Sequence, residues 1–343
     1  MSIRTLGLLG IAACAAALLL WVVDARAALA GWLAAFTFWG AVPLGALALR
    51  LMTGIIPGAW RTEVTPTSEM LLVLLPLVAL AVLPVLIGIR ALYPWSAAPM
   101  GEGFRGVYLT AWFFSLRSVL FLAGTIVLGF LLMTRPAWSL ALASVGLIAF
   151  VLVDTTVAVD WLMSLDPDFD SSGFGLYVLS IQMMIALIVI VIIRLVAAPE
   201  QVRPELLAAL MLTALLLWEY FAFMQYFIIW SENLPKRVAW FRDRGQGLWA
   251  AAEYAFSALT LVPTFLLFFG AIRRSRSCLL TIATAVLLAR AIEIAWLVFP
   301  AVKAPPLVQW IAAFPALLGL ACLSGAALAW IGRAPVLVRR VPR

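Results

Sequence analysis

Five charged side chains stand deep inside long apolar stretches of this 343-residue sequence: Arg117, Asp154, Glu219, Arg290 and Glu293. Placing one ionised side chain at the centre of a bilayer costs roughly 2.5–3.5 kcal/mol on insertion scales. Such residues are therefore kept where they pair with each other or act on an ion or a proton. The chemistry that this set suggests is a proton relay, in which carboxyl groups accept and release protons across an apolar layer.

Glu219 is the strongest single candidate for such a relay. It lies about 13 residues from the start of its apolar stretch, and a rise of 1.5 Å per residue places it near the bilayer midplane. No other acid or base lies within one helical turn of it. The hydroxyls of Tyr220 and Tyr226, together with water, are expected to pass a proton onward. The path would then continue outward through three further acids: Glu293, Asp154 and Asp160.

The spacing of the charges leaves a second interpretation open. Arg290 and Glu293 are three residues apart, so they share a helix face and can form an ion pair. Asp154 and Asp160 are six residues apart, about 600° of helical rotation, so they point to different faces. Buried ion pairs that fix the register of neighbouring helices would explain these charges, and that of Arg117, without any proton transfer.

The composition limits the class of protein. Hydrophobic residues make up 66% of the chain and charged residues only 11%, whereas soluble domains carry roughly 25% charged residues. A soluble domain, a disordered chain and a nucleic-acid-binding protein are therefore excluded. The chain has no histidine, and its three cysteines are widely separated without a CxxC motif. No haem, metal or covalently bound cofactor is expected, because the usual ligands are missing.

The apolar stretches predict an all-α polytopic membrane protein, because a bilayer leaves the backbone of a single segment no hydrogen-bond partner but itself. Ten stretches approach or exceed the roughly 20 residues that a spanning helix needs. They are residues 5–23, 28–49, 70–90, 106–134, 136–162, 174–195, 206–230, 250–272, 277–299 and 307–332. The whole chain, 1–343, is expected to form one integral membrane domain.

The first stretch allows two interpretations. Arg4, the apolar run 5–23 and the sequence Ala25-Arg26-Ala27 are typical of a secretory signal followed by a cleavage site. The apolar run, however, is longer than the roughly 7–15 residues of a signal core. We therefore predict a retained helix, with cleavage as the alternative.

The basic residues predict the orientation of the spans. With a cytoplasmic N-terminus, thirteen arginines fall in cytoplasmic segments and eight arginines or lysines fall on the opposite side. Because Lys and Arg are concentrated in cytoplasmic loops, both termini are expected in the cytoplasm. Two outer loops, 163–173 and 231–248, are crowded with charged residues and are expected to dock a periplasmic partner.

Several segments, taken in order, resemble one protein family. The matching segments are 36-FTFWGAVPLGALALRLMTG-54 with Trp60, 76-PLVALAVLPVLIGIRALYPW-95, 159-VDWLMSLDPDFDSSGFGLY-177, 218-WEYFAFMQYFIIWSENLP-235 with Trp240, Arg244, Gly245 and Trp249, and 288-LARAIEIAWLVFP-300. This set is similar to the F subunit (ActF) of alternative complex III, a bacterial quinol:cytochrome c oxidoreductase, within the NrfD-like and polysulfide-reductase (PsrC) membrane subunits. At residues 164–172 the chain lacks the histidine and tryptophan common in the family.

The resemblance implies two four-helix bundles, at 28–162 and 174–299, with 5–23 and 307–332 as flanking helices. It also implies a bacterial inner-membrane location and partners within a respiratory complex, namely an iron–sulfur protein, cytochrome c subunits and a sister membrane subunit. A bound quinone is a further implication. Arg117, Asp160, Arg290 and Glu293 stand in family-like contexts.

The resulting hypothesis is an integral membrane subunit of a quinol-oxidising respiratory complex without a redox centre of its own. It would hold the electron-transfer subunits and conduct protons through its intramembrane carboxylates. Two alternatives remain: a secondary transporter, although no inverted repeat is visible, and an assembly subunit whose buried charges are purely structural.

Overall fold

The computed structural model describes residues 2–97, 103–135 and 139–333, and within these ranges every regular element is helical. The helices are α1 Ile3–Leu19, α2 Ala25–Ile55, α3 Trp60–Leu72, α4 Leu75–Ala81, α5 Leu83–Ile87, α6 Ile89–Leu92, α7 Phe104–Tyr108, α8 Ala111–Thr134, α9 Ser139–Trp161, α10 Phe174–Ala197, α11 Pro204–Glu232, α12 Pro235–Arg244, α13 Gly247–Leu266, α14 Gly270–Arg274, α15 Arg276–Val302 and α16 Pro306–Arg333. Residues 136–138, the start of one predicted span, lie outside the described residues.

The prediction of an all-α polytopic membrane protein is confirmed, but the count of ten spans is not. In the described part of the chain, eight helices are long and apolar enough to cross a membrane. A ninth span is counted if the segments 60–72 and 75–87, which meet at a bend, together cross the membrane once. The predicted span 250–272 corresponds to α13, which is not among the eight. Polar residues such as Glu253, Thr260 and Thr264 make it less apolar, and these residues face a buried site described below.

The bend in the predicted span 70–90 lies where proline enters the helix. The axes of 60–72 and 75–87 differ by 47°. Pro76 and Pro84 each stand at the first or second position of a short helix, where the missing amide hydrogen is tolerated. The chain therefore crosses this region as a series of short helices rather than as one rod.

The centre of the molecule is α2, which is buried over most of its length and packs against α3, α9, α10, α15 and α16. Helices α3, α4, α8 and α9 pack around one side of it, and we call them the first group of helices. Helices α10, α11, α13 and α15 form the second group, in which α11 and α15 both contact α10 and α13. Helix α1 packs along α16, where Gly10 and Gly319 allow close approach of the two backbones.

Ion pairs between distant segments agree with alternating spans. Four of them join two segments that the predicted topology places on the same side of the membrane: Arg194–Glu63 and Arg274–Glu205 on the cytoplasmic side, and Lys236–Asp168 and Arg237–Asp170 on the outer side. Arg339, Arg340 and Arg343, which count toward the cytoplasmic excess of basic residues, lie outside the described residues.

Candidate functional site

A buried ion pair lies at the centre of the second group of helices. The Nη1 atom of Arg290 is 2.6 Å from Oε2 of Glu293, and both side chains are completely buried. The two residues stand one helical turn apart on α15, so the predicted pairing is confirmed. Neither side chain is in contact with solvent, so the surrounding polar groups must stabilise both charges.

Three other helices supply those groups. The hydroxyl of Tyr177, on α10, donates a hydrogen bond to Oε1 of Glu293. The indole of Trp218, on α11, donates to the same oxygen at 2.9 Å, and its ring lies 3.9 Å from the guanidinium carbon of Arg290. On α13, Thr260 accepts a hydrogen bond from Nη2 of Arg290. The pair thus binds α10, α11, α13 and α15 into one polar cluster, which we call the α15 cluster: Arg290, Glu293, Tyr177, Trp218 and Thr260.

One donor of the α15 cluster has neither a hydrogen bond nor an ion pair. The Nε atom of Arg290 is buried and has no acceptor within the described chain. Buried donors are nearly always paired with protein or with an ordered water. The Nε atom of Arg290 is thus an exception within the cluster.

Glu219 lies beside the α15 cluster, on the next residue after Trp218. Its Oε1 atom is 2.6 Å from the hydroxyl of Thr264, which is also 3.0 Å from the carbonyl of Thr260. The side chain of Glu219 is partly exposed. No charged residue lies near Glu219 on its own helix, but Thr264 and Thr260 on α13 connect it to the surroundings of Arg290.

A cavity of about 160 Å³ adjoins the cluster on its outer side, and we call it the inner cavity. Its lining includes Tyr177 and Trp218 from the cluster and the polar residues Gln225, Ser257 and Glu253. The Nε2 atom of Gln225 is buried and has no hydrogen-bond partner in the described chain. The cavity is thus both large enough and polar enough to hold water against the Tyr177 hydroxyl.

Glu253 is the residue that the sequence reasoning missed. It lies about 9 Å from the outer end of α13, at 1.5 Å per residue. Its half-buried carboxylate has no hydrogen bond or ion pair to any residue that the structure describes. The sequence does contain one sign of its importance, which is that Glu253 is an acid inside the predicted span 250–272. Tyr177, Trp218, Thr260 and Thr264 gave no comparable signal, because their contacts with the buried acids and Arg290 are made between helices.

The first group of helices holds two separate buried acids. Asp160 accepts two hydrogen bonds from Arg117, at 2.7 and 2.8 Å, and the guanidinium of Arg117 also lies 3.8 Å from the ring centre of Tyr108. Asp154 faces the side-chain amide of Gln182 on α10, at 3.1 Å. The two aspartates have different partners on different helices, as their spacing predicts. No hydrogen bond in the described chain connects either of them to the α15 cluster.

The two candidate tyrosines stand on the outside of the protein. Tyr220 is 57% exposed and Tyr226 is 50% exposed. Tyr226 borders the inner cavity, whereas Tyr220 contacts the ring of Phe221. Of the sequence-predicted set, the structure therefore brings together Glu219, Arg290 and Glu293, with Tyr226 at the edge of the adjoining cavity.

The two charged outer loops are bound to each other. Lys236 lies 3.1 Å from Asp168, Arg237 lies 2.7 Å from Asp170, and the ring of Phe169 stacks on Trp240 at 4.4 Å. The hydrogen bonds from Arg237 lower the pKa of Asp170 below its usual range. Much of the charge that suggested a docking site thus forms ion pairs within the chain. The same contacts hold α12, whose residues Trp240 and Phe241 line the inner cavity.

Comparison with known proteins gives no assignment: no family model matches the chain, and no curated protein matches it.

Proposed function

We propose that this chain is an integral membrane subunit of a quinol-oxidising respiratory complex of the alternative complex III type. It would lie in the bacterial inner membrane with both termini in the cytoplasm. The resemblance of its ordered segments to the ActF family supports this role. Its partners would be an iron–sulfur protein, cytochrome c subunits and a sister membrane subunit. These would carry the redox centres, since this chain has no histidine.

The observation that carries the proposal is the α15 cluster between Glu219 and the inner cavity. Glu219 near the midplane, Glu293 beyond it and the Tyr177 hydroxyl at the cavity form a series of groups able to hold a proton. A guanidinium does not release its proton in proteins. Arg290 would therefore hold Glu293 in place, and water at its unused Nε would carry the proton past it.

The outer half of this path would run through the inner cavity. A proton on Glu293 would reach the cavity through the hydroxyl of Tyr177. Gln225, Ser257 and Glu253 would then orient water toward the outer surface. The aromatic residues that line the same cavity also suit the flat ring of a quinol, which would be the substrate of the complex rather than a bound cofactor.

A structural assembly role is the second candidate, and one observation favours it. Two ion pairs inside the predicted spans have atoms at hydrogen-bonding distance. Arg117 pairs with Asp160 between α8 and α9, and Arg290 pairs with Glu293 within α15. Removing one member of such a pair strands a buried charge, which would make both pairs strong determinants of folding. In this case Glu219 would have no role in turnover.

The test compares Glu219→Gln and Thr264→Val with the matched control Thr284→Val. Thr284 is an exposed threonine whose hydroxyl bonds only to its own helix. Each variant would be expressed with its neighbouring genes, purified and tested for haem-bearing partners, quinol:cytochrome c turnover and proton release. We expect all three to assemble, and the first two to lose at least tenfold in proton release or coupled turnover.

Two results would contradict the proposal. Purification of the wild-type chain without any haem-bearing partner would refute the respiratory complex. Full turnover and proton release by an assembled Glu219→Gln complex would refute the relay and leave the structural role.

A further inference from the structure

A second cavity lies beside the inner cavity and is open to the protein surface, and we call it the outer cavity. It has a volume of about 360 Å³ and lies between the outer parts of α11, α12 and α13. It shares Tyr226, Phe241 and Glu253 with the inner cavity. Its size falls within the roughly 300–1,000 Å³ of small-molecule sites.

The outer cavity presents one charge of each sign. The carboxylate of Glu253 has no hydrogen bond or ion pair within the described chain. Arg242, across the lining, touches only its sequence neighbour Asp243, at 4.0 Å, and both side chains are 69% exposed. Such an exposed pair is worth little. Both charges in the lining are therefore available to a ligand.

Aromatic rings form the walls between these charges. Tyr226, Trp230, Phe241 and Tyr254 line the cavity, and Trp230 and Tyr254 are 64% and 76% exposed. Aromatic faces attract ammonium groups. Trp230 stands at the end of the spanning helix α11, where exposed Trp and Tyr residues lie at the level of the lipid headgroups. The cavity is thus placed where a headgroup would enter from the side.

We infer that the outer cavity binds the headgroup of a zwitterionic phospholipid that carries a primary ammonium. The ammonium would donate to Glu253 between the aromatic rings, and the phosphate would accept from Arg242. A trimethylammonium headgroup has no N–H to donate to the carboxylate. An anionic headgroup would leave Glu253 without a cation, and a neutral quinone ring would leave both charges unmatched. This inference does not depend on the proposed function.

The test is lipid binding by the purified full-length chain. Delipidated protein in detergent would be titrated with phosphatidylethanolamine, phosphatidylcholine or phosphatidylglycerol of identical acyl chains, and native mass spectrometry would count the bound lipids. We expect one phosphatidylethanolamine per chain to bind at least tenfold more tightly than either other lipid. Glu253→Gln and Arg242→Gln should each remove that preference.

Matched controls are Asp168→Asn and Lys236→Gln, which change the same charges in the outer loops but away from the cavity. They should bind lipid as the wild type does. Equal binding of phosphatidylcholine, preference for phosphatidylglycerol, or unchanged selectivity in both cavity variants would each overturn the inference. The wild-type titration alone decides among the three lipids, so the inference stays falsifiable even if a variant fails to fold.

Discussion

Arg244 donates to the backbone carbonyl that Pro300 leaves without its helical donor. Pro300 lies in the last turn of α15 and has no amide hydrogen for the carbonyl of Trp296, four residues earlier. The Nε of Arg244 bonds to that carbonyl at 3.2 Å, and its Nη2 bonds to the carbonyl of Leu297 at 3.1 Å. Burial lowers the pKa of Arg244 to about 9, so the side chain stays protonated at neutral pH. This relationship attaches α12 to the outer end of α15.

Replacing Arg244 by methionine should therefore cost more stability while Pro300 is present than after Pro300 is replaced. Each buried carbonyl left unpaired costs about 1–3 kcal/mol, so Arg244→Met should lower the melting temperature clearly. Pro300→Ala restores an amide donor to Trp296, and the double variant should lose less than the sum of the two single variants. A thermal-unfolding double-mutant cycle measures this coupling, which we expect at about 0.5–3 kcal/mol. Lys236→Met, at an exposed pair, is the control, and strict additivity would contradict the assignment.

The Arg290–Glu293 pair should tolerate the loss of both charges better than the loss of one. Arg290→Met or Glu293→Gln alone strands a buried charge and should destabilise the protein by about 3–5 kcal/mol. The combined variant leaves no net charge in the α15 cluster, so it should recover much of that loss. Yield of folded protein and melting temperature in detergent measure the effect. A double variant less stable than both single variants would show that the charges act independently.

Close contact between α2 and α10 should make Gly45 sensitive to the smallest substitution. A Cβ atom at Gly45 would lie 2.7 Å from the Cβ of Ala186 and closer still to the carbonyl oxygen of Gln182. Gly45→Ala should therefore separate the two helices and lower the melting temperature. At Gly124, on α8, a Cβ meets nothing within 4 Å. Gly124→Ala should be neutral or stabilising by up to about 1 kcal/mol through helix propensity alone.

The contact between the two outer loops should weaken at low pH. Because the pKa of Asp170 is lowered in the folded protein, the folded state binds fewer protons than the unfolded state in this range. The contribution of Asp170 is therefore complete above its ordinary pKa of about 4 and is lost as the pH falls through the lowered folded value.

The distance between spin labels at the exposed positions Ser172 and Asp243 would report this change. The wild-type distribution should be narrow at neutral pH and broaden below pH 4. Asp170→Asn should broaden it already at neutral pH, whereas Asp168→Asn, at a more exposed pair, should have a smaller effect. A wild-type distribution that stays narrow to pH 2 would contradict the prediction.

The sequence by itself determined the class of the fold and the partnership of neighbouring charges. Long apolar runs require helices because lipid offers the backbone no other hydrogen-bond partner, and this constraint acts on each segment alone. The pairing of Arg290 with Glu293 follows from helical periodicity within one element, and so do the different directions of Asp154 and Asp160. Such relationships need only the local geometry of one helix.

The tertiary structure alone decided which helices meet, and with them the composition of the candidate site. Glu219 has no partner on its own helix, yet it faces Thr264 because α11 and α13 are neighbours. Only the tertiary structure shows that the carboxylate of Glu253 lines both cavities without a partner in the described chain. The structure also showed that charges of the two outer loops pair with each other, Lys236 with Asp168 and Arg237 with Asp170. Contacts between segments distant along the chain depend on the packing of all helices together, and no periodicity within one segment contains that information.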